Sequence, residues 1–175
     1  MRRLCILFLL ILASCSGEIK PKGFIELSIE EWADSLSRNT QVKLTKTIYS
    51  SGISEEQEIK NIDWEEEFAL FRKYNLQKIE KKGDLIFDTI FDERTNRYLL
   101  RGMRIEQGPG IQSLYLVMDS LRQLLQFRIS ETEDTWLKTS EREAFWNTEG
   151  EYSYIIKTDY SYAKNEDLQI FVAWE

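Results

Sequence analysis

The chain has 175 residues, 23 of them basic, 30 acidic and none histidine, for a formal net charge of −7. An acidic balance with scattered bases argues against a phosphate-backbone footprint, so nucleic acid is not an expected partner. The missing imidazole removes the usual proton shuttle and the commonest metal ligand, and with them Ser-His-Asp and Cys-His catalytic arrangements.

The amino terminus comes first in chain order. Met1-Arg2-Arg3 is a short positive start, Leu4 to Leu12 is uncharged and apolar, and Ala13-Ser14 leads into Cys15. Nine helical residues reach about 14 Å, roughly half a bilayer core, so this run cannot span a membrane. A charged start, a short apolar middle and small residues at the end mark an export signal. An ordinary secretory signal followed by a free cysteine would share these features.

The order Leu12-Ala13-Ser14-Cys15 resembles the lipobox of bacterial lipoproteins. The resemblance implies a diacylglyceryl group on Cys15, cleavage before it, and residues 1–14 as the removed signal peptide. Cys5 would leave with that peptide, and no disulfide would remain. Residues 15–23 then form a lipidated tether and residues 24–175 a single domain, large enough for its own core. Removing Arg2 and Arg3 lowers the basic count from 23 to 21, against 30 acids, for a net charge of −9.

Ser28-Ile29-Glu30-Glu31 carries a capping-box spacing, and Ile29, Trp32, Ala33 and Leu36 follow at helical intervals. The spacing predicts a helix over 29–38. Val42, Leu44 and Ile48 share a period of two, and Ser51-Gly52 marks a turn, so 42–62 is expected to be a hairpin. Asp63 then caps a second expected helix, with Glu65, Glu66 and Glu67 in its first turn and Trp64, Phe68, Leu70 and Phe71 as its apolar stripe. That helix is expected to end near Asn75.

From Asp84 onward a two-residue period dominates. Strands are expected over 84–92, 98–106, 114–118, 125–129, 136–145, 152–163 and 168–174, with turns at 92–96, 107–110 and 119–120. Connections of two to six residues suit antiparallel neighbours and not parallel crossovers. The expected fold is α+β: an antiparallel β-meander sheet, flat or curved into a half-barrel, with two N-terminal helices on one face or end.

Carboxylates carry the catalytic chemistry that remains. A glycosidase needs two acids about 5–10 Å apart, but no spacing singles out a pair, so no catalytic residue is assigned and an enzyme is not expected. Asp84, Asp88 and Asp92 share a strand face with Ile86 and Ile90, and charge runs of this kind usually lie in water. Asp92-Glu93-Arg94-Thr95-Asn96 offers oxygens for calcium but lacks the EF-hand spacing and glycine. No metal or other cofactor is expected.

Tyr152, Tyr154, Ile156, Thr158, Tyr160 and Tyr162 alternate with mostly polar residues. Such a row is commonly a core face under a helix. It could instead present Tyr152, Tyr154, Tyr160 and Tyr162, with Trp146 beside them, to an acyl chain, glycan or protein.

Asn61-Ile62-Asp63-Trp64-Glu65 before an amphipathic helix, and Ser140-Glu141-Arg142-Glu143 in a late strand, resemble small lipoproteins of Bacteroidota. That resemblance supplies no catalytic residues. Ser16 in place of aspartate after Cys15 suggests, by the enterobacterial sorting pattern, the outer membrane. The single acid in Ser16-Gly17-Glu18-Ile19-Lys20 is a poor surface-export signal, so the periplasmic side is expected, with the cell surface as the alternative. The expected function is therefore a lipid-anchored envelope protein, non-catalytic, with a protein partner or a structural role. The alternative is a carrier of apolar ligands, similar in architecture to half-barrel lipoprotein-localisation proteins.

Overall fold

The computed structural model describes residues 42–74 and 76–174. Cys15, the tether and the helix expected over 29–38 lie outside the described residues.

The first hairpin forms as β1 (Leu44–Ser50) and β2 (Ile53–Ile59). Its two-residue connection, Ser51 and Gly52, has φ of 51° and 84°. Positive φ at both central positions matches the right-handed twist of the flanking strands. Seven further strands follow a helical segment: β3 (Leu85–Asp92), β4 (Arg97–Arg104), β5 (Gly110–Met118), β6 (Leu124–Asp134), β7 (Lys138–Asn147), β8 (Glu151–Tyr160) and β9 (Glu166–Trp174).

All nine strands belong to one antiparallel sheet, ordered β2-β1-β9-β8-β7-β6-β5-β4-β3. Strands β3 to β9 are the expected meander. The hairpin extends it because β1 pairs with β9, Leu44 opposite Trp174 and Ile48 opposite Ile170. The sheet is open, with β2 at one edge and β3 at the other.

That order dictates the path of the intervening chain. It leaves β2 at one edge and must enter β3 at the other, so residues 60–84 cross a whole face. The crossing contains α1 (Trp64–Glu67), α2 (Ala69–Arg72) and α3 (Leu76–Lys82). The Asp63 carboxylate accepts the N–H groups of Glu65 (3.0 Å) and Glu66 (3.1 Å), as an N-cap should.

The continuous helix expected from Asp63 to Asn75 is corrected to these shorter pieces. Phe68 leaves helical geometry at φ −91°, ψ 2°. Beyond it, Phe71 N–H bonds to the Phe68 carbonyl (3.0 Å) and Tyr74 N–H to the Phe71 carbonyl (2.9 Å). Bonds of this three-residue type stack side chains at i and i+3 in one row. Phe68, Phe71 and Tyr74 are spaced by three, so the tighter winding turns all of them to the sheet.

Their rings mesh with those of the strands. Trp64 stacks on Phe68 at 5.5 Å and meets Trp174 edge-on at 5.9 Å. Phe71 meets Tyr152 at 5.4 Å and Phe127 at 6.3 Å, and Tyr74 approaches Phe127 at 5.9 Å. Edge-to-face pairs of this kind add about 0.5–1.5 kcal/mol beyond area burial. Beneath them lie Leu44, Val172, Trp146, Ala144, Ile129, Leu114 and Leu116.

Several strand limits differ from the sequence reading, β5 and β6 being longer than expected, and two of the differences move aromatic residues out of the sheet. Strand β7 begins at Lys138, leaving Trp136 in the turn before it, and β8 ends at Tyr160, leaving Tyr162 in the following loop. Ser161 N–H donates to the Leu137 carbonyl (3.0 Å), so the two connections hold each other. Apolar type alone did not keep these rings in the sheet.

Candidate functional site

The tyrosine row divides along its length. Tyr152 is 2% exposed and Tyr154 5%, and both stand on the face crossed by the helices, with the buried Trp146 directly opposite Tyr152. Tyr160, at the strand end, is half-buried, and its hydroxyl donates to the Glu166 carboxylate (3.2 Å). The Glu166 charge is the main cause that raises its pKa. Tyr162 is 87% exposed. The structure therefore brings Trp146, Tyr152 and Tyr154 together in the core and sets Tyr162 apart at one end of the sheet.

The Tyr152 hydroxyl reaches past the rings and donates to the Glu67 carboxylate, which also takes Lys46 Nζ at 2.9 and 3.0 Å. Burial, then the Glu67 hydrogen bond, pushes the Tyr152 phenol well above its ordinary value. This triad ties α1 to β1 and β8. It holds a partly buried charge pair, the Lys46 and Glu67 side chains 23% and 10% exposed, where an unpartnered polar atom is costly.

A second polar cluster lies farther along the same face. Glu131 accepts from Lys73 (2.8 Å) and from the Tyr74 hydroxyl (3.3 Å), and Arg142 lies 4.0 Å from it while bonding Glu133. The Arg142 hydrogen bond holds the Glu133 carboxyl below the usual range. Burial, with Tyr154 and Glu131 nearby, pushes the Tyr74 phenol up. Next to this cluster a cavity of about 250 Å³ opens between α3 and the sheet. Ile79, Leu85 and Ile111 give it an apolar floor, while Lys78 and Lys82 stand at its rim.

Glu131 and Lys46 were not singled out from sequence, and Arg142 entered only within the Ser140-Glu141-Arg142-Glu143 run. Glu131 continues the parity of Phe127 and Ile129, and Arg142 that of Ala144 and Trp146, so both were marked for the inner face by alternation alone. Lys46 likewise shares the parity of Leu44 and Ile48.

Asp84, just before β3, and Asp88 and Asp92 within it do not converge. Asp84 pairs with Lys82 (2.8 Å), whose hydrogen bond is the main cause that lowers its pKa. Asp88 pairs with Arg101 (3.3 Å). Asp92 accepts from Thr95 Oγ1 (2.8 Å) and Arg94 N–H (3.0 Å), capping its own turn; the Thr95 bond leads in lowering its pKa. Among the described residues no three acids or thiols gather as a metal-binding group, and no helix is long and apolar enough to cross a membrane.

No family model, curated protein or solved structure matches this chain.

Proposed function

We propose that this chain is a lipid-anchored cell-envelope protein whose sheet domain is a non-catalytic binding or structural module. The observation that carries the reading is Leu12-Ala13-Ser14-Cys15 behind a charged and then apolar leader. Each acyl CH₂ buried in a bilayer contributes about 0.8 kcal/mol, so two or three chains on one sulfur make a firm anchor. Outer-membrane attachment is the location that Ser16 favours, and the acid-poor run Ser16-Gly17-Glu18-Ile19-Lys20 favours its periplasmic side. The crossed face supports a non-catalytic role: its partly buried carboxylates are engaged in ion pairs, Glu67 with Lys46 and Glu131 with Lys73. The test is metabolic labelling with alkyne palmitate. Label is expected on the wild-type chain and lost in Cys15→Ala; equal labelling of both overturns the anchor.

The apolar-ligand carrier is a second reading, favoured by one observation, the cavity beside α3. A carrier would use Ile79, Leu85 and Ile111 as its floor, because Tyr152 and Tyr154 are taken up by the core. Half-barrel curvature that enlarges this space belongs to the same reading. At about 250 Å³ the cavity lies below the roughly 300–1,000 Å³ of drug-sized ligand sites. Native mass spectrometry checks it: co-purified lipid supports a carrier, and its absence from repeated preparations counts against one.

A further inference from the structure

The two edges of the sheet are built differently, and one is built to be paired. Strand β2 carries Glu55, Glu56 and Glu58. Charged side chains on an edge are the usual defence against pairing with another strand. Strand β3, LIFDTIFD, carries Leu85, Phe87 and Phe91 on one face and Ile86 and Ile90, alternating with Asp88 and Asp92, on the other. Ile86 and Ile90 are 62% and 52% exposed on one face and Phe91 is 43% exposed on the other. Long, mostly apolar and unpaired among the described residues, it is the kind of edge that soluble proteins avoid leaving open.

Its backbone is oriented for a partner. Ile105 N–H donates to the Asp84 carbonyl (3.3 Å), so even-numbered residues of β3 spend their backbone groups on β4. In an antiparallel ladder the bonds alternate. Phe87, Thr89 and Phe91 therefore direct N–H and C=O away from the sheet.

We propose that β3 pairs antiparallel with β3 of a second copy, making a twofold dimer centred on Thr89. With Thr89 opposite its counterpart, Phe87 falls opposite the partner copy's Phe91, and Asp88 opposite the partner copy's Ile90. Each Phe91, already 4.7 Å from Tyr98, gains a second ring across the axis. No acid faces an acid, and each Asp88 keeps its own Arg101. The charge pattern also rejects the open alternative. Head-to-tail pairing would lay Glu55, Glu56 and Glu58 of β2 along a strand bearing Asp84, Asp88 and Asp92, and like charges across strands are unfavourable. A closed pair is the self-complementary solution and does not propagate.

The experiment uses full-length chains in intact cells, without fractionation. Thr89→Cys is treated with bis-maleimidoethane, beside the parental chain, whose Cys5 and Cys15 set the background, and Ser54→Cys on the β2 edge. A species of twice the monomer mass is expected for Thr89→Cys alone, and adding Ile90→Lys should abolish it while leaving the circular dichroism of the purified chain unchanged. No species above background, equal crosslinking at Ser54, or crosslinking that survives Ile90→Lys would overturn the proposal. Chains that pair β3 with their own residues 24–41 would give the first of these outcomes. The readout is independent of palmitate labelling, so either proposal can fail without the other.

Discussion

The two faces of the sheet use the same strands to opposite ends. On the crossed face, Val172, Tyr152, Trp146, Phe127, Leu116 and Leu100 run straight across six strands, each buried. One residue along each strand, Thr47, Phe171, Ser153, Phe145, Arg128, Tyr115 and Arg101 form the neighbouring row on the other face. None of those seven is buried. The period of two separates an aromatic interior from a mixed, ion-paired surface, and the helical crossing decides which is which.

Breaking the crossed face should have the largest effect. Phe71 is fully buried and touches Phe68, Tyr152 and Phe127. Phe71→Ala is expected to cost about 3–5 kcal/mol by denaturant unfolding, through lost transfer energy and the cavity left behind. A loss below about 1 kcal/mol, within the range of surface substitutions, would show that the crossing is not what buries the sheet.

The triad within that face comes next. Glu67→Ala leaves Lys46 and the Tyr152 hydroxyl without their shared acceptor. Stranded polar groups of this type cost about 1–3 kcal/mol, more for a charged one. The double variant Glu67→Ala with Lys46→Met should recover part of that loss, because replacing a buried pair by apolar groups is often neutral. A double-mutant cycle with no coupling would place the two charges in solvent.

How much of this was legible depends on the range of the interaction. The meander from β3 to β9 could be read because alternation and turn residues are local, as at Asp92 and Gly110. The pairing of β1 with β9 could not, since it joins residues 118 to 130 apart and no local pattern encodes it. The break at Phe68 was hidden because Trp64, Phe68 and Phe71 suit a continuous helix and a tightened one equally. The polar clusters were missed for another reason: no motif marks Lys46 or Glu131, and Arg142 entered only within Ser140-Glu141-Arg142-Glu143, while their parity placed them on the inner face. Of the tyrosine row, parity correctly grouped Tyr152 with Tyr154 but could not tell where the strand would stop.

Alkaline pH sharpens the contrast without a mutation. Tyr74 and Tyr152 both have phenols raised above their ordinary 10.0, chiefly by burial. The folded chain keeps those protons when the unfolded chain releases them. Stability is thus complete below pH 10 and is lost as pH climbs toward the folded-state values. Melting followed from neutral pH to about pH 11 should show a falling Tm, with tyrosinate absorbance rising in step with unfolding. Full ionisation of all tyrosines in a chain that stays folded would contradict the burial of both rings.

The open face should respond least. Arg128 bonds Glu143 across β6 and β7 at 2.6 and 3.0 Å, yet the arginine side chain is 54% exposed. Water screens the pair in the native state and solvates both groups equally well when it is broken. Arg128→Ala is therefore expected to change stability by about 0.2–1 kcal/mol, and added salt should shrink even that. The comparison with Glu67 turns on burial, because the hydrogen-bond lengths are similar. If Arg128→Ala cost as much as Glu67→Ala, the outer face would be covered in solution, and the two sides of the sheet would no longer differ in kind.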